Sequence, residues 1–153
     1  MQTRQRAARS GADLRWDRCT TGRVTYELIR TVGKPTVFPS DRCCPISYRR
    51  LLLDDSTLKV HQFRAGLTES TLCNCSHGID DLEHFFFECS DHEAIRRDLI
   101  DWVQQVLSAV DKRPQLPTSL LLVPSCYEQI STRLSLEILG STFEYIRNSK
   151  RRL

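Results

Sequence analysis

Two blocks of this chain space their apolar residues by three and four, the signature of a helix that buries one face. In the first, Ile95, Leu99, Trp102, Val103, Val106, Leu107 and Val110 form the stripe. Ser90 and Glu93 make a capping-box pair ahead of it, and Pro114 ends it. The second block runs through Ile130, Leu134, Ile138, Leu139, Phe143 and Ile146, with Ser125 and Glu128 as the expected cap. Between them, a connector punctuated by Pro114, Pro117 and Pro124 carries the apolar run Leu120 to Val123. Upstream, Tyr48, Leu51, Leu52, Leu53, Leu58, Val60, Phe63 and Leu67 fit two short helices. These break at Asp54-Asp55-Ser56, where the aspartates are expected to cap the second helix, and end near Gly66. Residues 31–45, with Gly33, Pro35, Pro39 and Pro45, read as a loop, with free or semi-buried thiols at Cys43-Cys44. Before it, Thr20 or Thr21 caps a short helix with Val24, Leu28 and Ile29 on one face, and Trp16 is a packing anchor. Residues 1–12 form a polar arm.

Composition narrows the class. The chain has 153 residues, 40% of them hydrophobic and 27% charged, which is ordinary for a soluble domain. Its longest apolar runs are far too short to cross a bilayer, so no membrane association is expected. Met1 is followed by Gln2-Thr3-Arg4-Gln5-Arg6 in place of an apolar signal core, which predicts an intracellular protein, nuclear or cytoplasmic, and not a secreted one. Seven cysteines, an odd number, then point to reduced thiols, some of them metal ligands. Net charge is only +3, but it gathers at the ends. Residues 1–30 hold seven arginines, and the chain closes on Lys150-Arg151-Arg152. Arg4, Arg6, Arg9, Arg15, Arg18, Lys150, Arg151 and Arg152 are therefore the candidates for contact with nucleic-acid phosphates. The last three also complement a helix C-terminus without any partner.

The concentrated chemistry lies in residues 73–89. Cys73, Cys75, His84 and Cys89 offer three thiolates and one imidazole, a complete tetrahedral shell for Zn2+. Four protein ligands leave no position for a catalytic water, so such a site is structural. His77, two residues after Cys75, competes with His84, although the longer loop to His84 is easier to close. Cys89 falls just before the predicted helix, whose N-terminus favours a thiolate. Phe85-Phe86-Phe87 supplies an apolar wall, and Glu83 and Glu88 flank His84 as hydrogen-bond partners. His61 and His92 read as ordinary helix histidines, His92 on the surface. No Ser-His-Asp constellation, phosphate-binding glycine loop or paired carboxylates stand out, so the expectation is not an enzyme.

The predicted fold is mostly α: a small helical domain with a short zinc-knuckle-like turn or hairpin between helices. It divides into a basic arm, short helix and Pro-rich loop (1–45), a zinc-knuckle-like module with flanking helices (46–110), and a connector with a C-terminal amphipathic helix (111–153).

Cys73, Cys75, His84 and Cys89, with gaps of one, eight and four, resemble the CCHC motif near the C-terminus of non-LTR (LINE-type) retrotransposon polyproteins, downstream of the reverse transcriptase. His61-Gln62-Phe63 through Gly66-Leu67-Thr68-Glu69-Ser70 resembles its approach. Asp81-Leu82-Glu83-His84-Phe85-Phe86-Phe87-Glu88-Cys89 resembles its core, and Arg96-Arg97-Asp98-Leu99 the helix after it. Arg15-Trp16-Asp17-Arg18, followed by Thr20-Thr21-Gly22-Arg23, resembles the segment after the polymerase. The resemblance favours His84 over His77. It implies weak, non-specific binding of element RNA or target DNA by a remnant or derivative of a longer polyprotein. The alternative is a structural or protein-interaction module with no nucleic-acid binding. Two departures stand out. Ser76 occupies the usual glycine position after the second cysteine, and Arg113-Pro114-Gln115 lacks the carboxylate of the nuclease found in some relatives.

Overall fold

The computed structural model describes residues 45–108, 117–127 and 129–150. Helices α1 (Ile46–Leu52) and α2 (Lys59–Arg64) precede a small hairpin over residues 71–80. A π-helical turn (His84–Glu88) and a 3-10 turn (Ser90–His92) lead into the long helix α3 (Glu93–Leu107). Helix α4 (Thr118–Leu122), a 3-10 turn (Pro124–Cys126) and α5 (Thr132–Asn148) follow. The architecture is mostly α, as the apolar spacing predicts, and a single isolated bridge between Leu72 and Ile79 is the only β-pairing among the described residues.

The stripes face one another. Leu99, Val103 and Leu107 of α3 and Ile138, Leu139, Tyr145 and Ile146 of α5 are buried in one cluster with Tyr48 and Leu51 of α1 and Leu120 to Leu122 of α4. Each such aliphatic side chain contributes about 1.5–3 kcal/mol by leaving water. Two buried polar side chains tie the helices together. Tyr48 donates its hydroxyl to the Leu122 carbonyl at 2.5 Å. Thr142 Oγ1 bonds the carbonyls of Leu121 (3.1 Å) and Ile138 (2.9 Å), fixing α4 against α5. The run Leu120 to Val123, expected as a connector, is thus a buried helix and part of the core. The Val110 end of the first stripe, Cys19, Cys43, Cys44, Trp16 and the short helix expected near residues 20–29 lie outside the described residues.

Three caps differ from expectation. Pro124 begins its own 3-10 turn and draws Ser125 into it, so α5 starts at Thr132, and the Ser131 hydroxyl accepts from Leu134 N–H at 3.2 Å. Ser90 likewise sits in a 3-10 turn without a side-chain cap, and Glu93 pairs with Arg97 at 2.8 Å in place of reaching back. Asp54 does not cap α2. It adopts φ 64° after α1, and its carboxylate faces His61 Nε2 and Arg64 Nη1, each at 2.7 Å. The hairpin supplies the cap: Asp80 Oδ2 accepts from the Lys59 N–H at 3.0 Å and its carbonyl from Val60 N–H at 3.3 Å. Asp80 is only 2% exposed, so the loop carrying the cysteines is bolted to α2 from inside.

Candidate metal centre

The hairpin positions the first two donors. Asp80 N–H bonds the Thr71 carbonyl at 2.8 Å and Cys73 N–H the Gly78 carbonyl at 2.9 Å, on either side of the Leu72–Ile79 bridge. Within it, Ser76 N–H closes a turn onto the Cys73 carbonyl at 2.9 Å. That turn puts Ser76 at φ 63°, a left-handed conformation that glycine adopts freely and other residues pay about 1–2 kcal/mol to hold.

The π-helical turn positions the other two. Asp81 Oδ1 accepts from His84 N–H at 2.8 Å and so starts the turn, and Cys89 N–H reaches back five residues to the His84 carbonyl at 2.8 Å. Residues five apart on an α-helix point roughly 140° away from each other. The wider π turn brings His84 and Cys89 round to one side. Two bonds from the helical body hold this turn. Arg96 Nη1 donates to the Cys89 carbonyl at 2.6 Å, and the Tyr145 hydroxyl donates to the Phe85 carbonyl. Phe85 and Phe86 enter the core, their ring centroids 5.2 and 5.5 Å from that of Tyr145. Phe87 packs at the margin of the core.

The result is convergence. One donor atom from each of Cys73, Cys75, His84 and Cys89 lies within 4.8 Å of every other, and three of the four residues are buried. These are the four residues expected from the spacing; exposed His77 is outside the group. Cys73 Sγ and Cys89 Sγ are 3.8 Å apart, and Cys75 Sγ is 3.2 Å from His84 Nε2. A tetrahedral zinc ion with ordinary bond lengths requires edges of roughly 3.8 Å between two sulfurs and roughly 3.6 Å between sulfur and nitrogen. The donor set therefore fits a tetrahedral ion with small adjustments.

Imidazole orientation fits as well. Nε2 faces the thiols, while Nδ1 has Glu88 Oε2 at 3.5 Å, the approach of an outer carboxylate and longer than a formed hydrogen bond. Glu83, the other expected partner, turns away and accepts from Thr118 Oγ1 at 2.8 Å. Gly78 makes room for the ring, since a Cβ there would stand 2.9 Å from His84 Nδ1. No sequence signal marks this role of Gly78 or the cap from Asp80.

Electrostatics show what the cluster costs without a cation. Burial pushes the Cys89 thiol up to about 12, against the opposing pull of the Asp91 backbone N–H. The expected help from the helix N-terminus is present at Cys89 and is outweighed by desolvation. Burial also raises Cys73. Half-buried Cys75 goes the other way, to about 6, chiefly because the His77 backbone N–H points at its sulfur. Ionising all three thiols in this space therefore calls for a compensating positive charge.

Elsewhere, His92 is buried, not on the surface: Phe85 and Tyr145 pack on its ring at centroid distances of 5.6 and 6.4 Å. A Ser-His-Asp arrangement, not anticipated from the sequence, also forms, with Ser56 Oγ 2.7 Å from His61 Nδ1 and Asp54 beyond Nε2. Ser56 is buried and its hydroxyl also accepts from Leu58 N–H at 3.2 Å, so the trio braces the α1–α2 corner. Of the candidate phosphate contacts, Lys150 is exposed at the end of α5. Arg4, Arg6, Arg9, Arg15, Arg18, Arg151 and Arg152 lie outside the described residues.

No family model matches this chain, and neither a curated protein nor a solved structure does. Among the described residues, no helix is long and apolar enough to cross a membrane.

Proposed function

We propose that this chain is a zinc-stabilised helical module whose metal centre is structural, and that its basic ends attach it weakly to RNA or DNA. The convergence of four soft donors within 4.8 Å carries the metal part. Thiolate and imidazole select zinc over magnesium or calcium, which take oxygen. Bound there, zinc supplies charge neutralisation and a cross-link between the hairpin and the π-helical turn. With four protein ligands it has no open position for chemistry. Cobalt substitution tests the ligand set: tetrahedral cobalt with three thiolates gives intense sulfur-to-metal charge-transfer bands, and an octahedral, weakly absorbing product would overturn it.

Nucleic-acid attachment rests on the charge at the chain ends and on the LINE-type resemblance. Phosphate contacts by a few Arg and Lys side chains give affinity that falls steeply with salt and is indifferent to sequence. Binding to a generic single strand that does not weaken between low and high salt would contradict it.

A second reading, a protein-interaction module, is favoured by the surface. Arg64, Arg97, Arg133 and Arg147 each pair with a carboxylate, which offsets part of the positive charge on the helical body. Phe63 of α2, Leu67 after it, and Leu72 and Ile79 of the hairpin are exposed. Zinc binding without measurable affinity for RNA or DNA would select this reading.

A further inference from the structure

The three thiols differ in access. Cys73 and Cys89 are 3% and 0% exposed, with sulfurs 3.8 Å apart, whereas Cys75 is half-buried and opens to solvent at the hairpin tip. A sulfur pair at that separation needs to close by under about 2 Å to reach bonding distance. Four cysteines are free thiols among the described residues, and three of them are gathered here. A nucleophile open to solvent beside two sheltered thiols is the arrangement of a peroxide-sensing pair, with an attacking and a resolving sulfur.

We infer that hydrogen peroxide converts this cluster into an intramolecular disulfide and thereby expels the metal. The inference rests on the metal reading above and assigns a regulation to the same site. In the first step, the Cys75 sulfur attacks one peroxide oxygen. An S–O bond forms, the O–O bond breaks, and hydroxide leaves, so that sulfur is oxidised and peroxide reduced. In the second, the Cys89 thiolate attacks the Cys75 sulfenic sulfur, an S–S bond forms, and the S–O bond breaks with loss of a second hydroxide. Cys73 then exchanges onto Cys89, whose sulfur lies 3.8 Å away, and releases the Cys75 thiolate. The sum is two thiolates and one peroxide giving one disulfide and two hydroxides, each of which takes up a proton from solvent to become water. Two of the four ligands are consumed, and the remaining thiolate and imidazole do not hold zinc.

The hairpin would register the loss. It meets the body of the fold through Asp80 at the start of α2, while the π-helical turn is held by Arg96 and Tyr145. The metal is the direct link between the hairpin and that turn, so its release frees the hairpin tip while the helical core stays assembled.

The test uses full-length protein with Cys19, Cys43, Cys44 and Cys126 replaced by serine, leaving only the cluster thiols. Zinc content is first measured under reducing conditions; a zinc-free protein at that point refutes the metal reading on its own. The zinc-loaded protein is then treated with hydrogen peroxide while a chromogenic chelator reports free zinc and peptide mass spectrometry reports the sulfur state. Expected are release of one zinc per chain in step with a Cys73–Cys89 disulfide, both reversed by dithiothreitol and added zinc. Cys75→Ser should slow oxidation at least about tenfold, measured on chain stripped of zinc in parallel with wild type. Zinc retained at peroxide levels that oxidise free cysteine, or sulfinic and sulfonic acids in place of a disulfide, would overturn the inference.

Discussion

Ser76 and Gly78 show how single backbone positions govern the candidate centre. Ser76 holds φ at 63°, a left-handed conformation that suits glycine better than serine. Ser76→Gly should therefore raise stability by up to about 1 kcal/mol, the relief of left-handed strain less the added freedom of the unfolded chain. Denaturant midpoints at saturating zinc would read it; a destabilised variant would show that the serine hydroxyl holds the turn. Gly78 works through space. Its missing Cβ leaves the imidazole of His84 in place, and an alanine methyl 2.9 Å from Nδ1 would push the ring off the cluster. Gly78→Ala should weaken zinc binding about tenfold or more while leaving the helical circular dichroism intact, as checked by competition with a chelator of known affinity. Unchanged affinity would mean that the ring is not placed by this contact. The four donors were legible because thiol and imidazole are rare and their spacing is informative. Gly78 was not, because its role is a contact with a residue six positions away.

At the scale of elements, apolar periodicity located α3 and α5 and the two short helices before them, while the caps were misassigned. Periodicity reports burial, which many residues vote on; a cap is one hydrogen bond and yields to whatever the neighbouring chain requires. Pro124 shows it by starting a turn of its own, so that Ser131, not Ser125, opens α5. The π-helical turn was likewise hidden in the H-x4-C spacing, which suits no α-helical face and is explained by the bond from Cys89 N–H to the His84 carbonyl. Asp80 is the element-scale joint. Its carboxylate caps α2 from within the hairpin, so Asp80→Ala should cost about 1–2 kcal/mol and loosen α2 and the hairpin together. Hydrogen exchange would test this: protection lost in residues 59–64 and 71–80 alike is expected, and loss confined to one of them would refute the coupling.

On the scale of the whole molecule, the buried cluster that α1, α3, α4 and α5 contribute to does not include the four donor residues, so on the proposed reading zinc acts on the hairpin and the turn beside it. The fold also carries an acid-sensitive corner. Burial holds His61 below its ordinary value of 6.5, against the pull of Asp54. The unfolded chain therefore takes up this proton more readily than the folded one. The stability it supports is full above pH 6.5 and falls as pH drops below it. His61→Gln should remove that part of the decline, measured by thermal unfolding between pH 7.5 and roughly 5. An identical pH profile in the variant would place the sensitivity elsewhere, with protonation of the thiolate ligands as the competing source.

On the proposed reading, Cys73, Cys75, His84 and Cys89 together hold one zinc ion. Native mass spectrometry of the purified chain, with Cys89→Ser and His84→Ala alongside, addresses it most directly. One zinc per wild-type chain, lost from both variants at the same free zinc concentration, is the predicted result. Wild-type protein that carries no zinc after purification with zinc present, or variants that retain it fully, would contradict the claim.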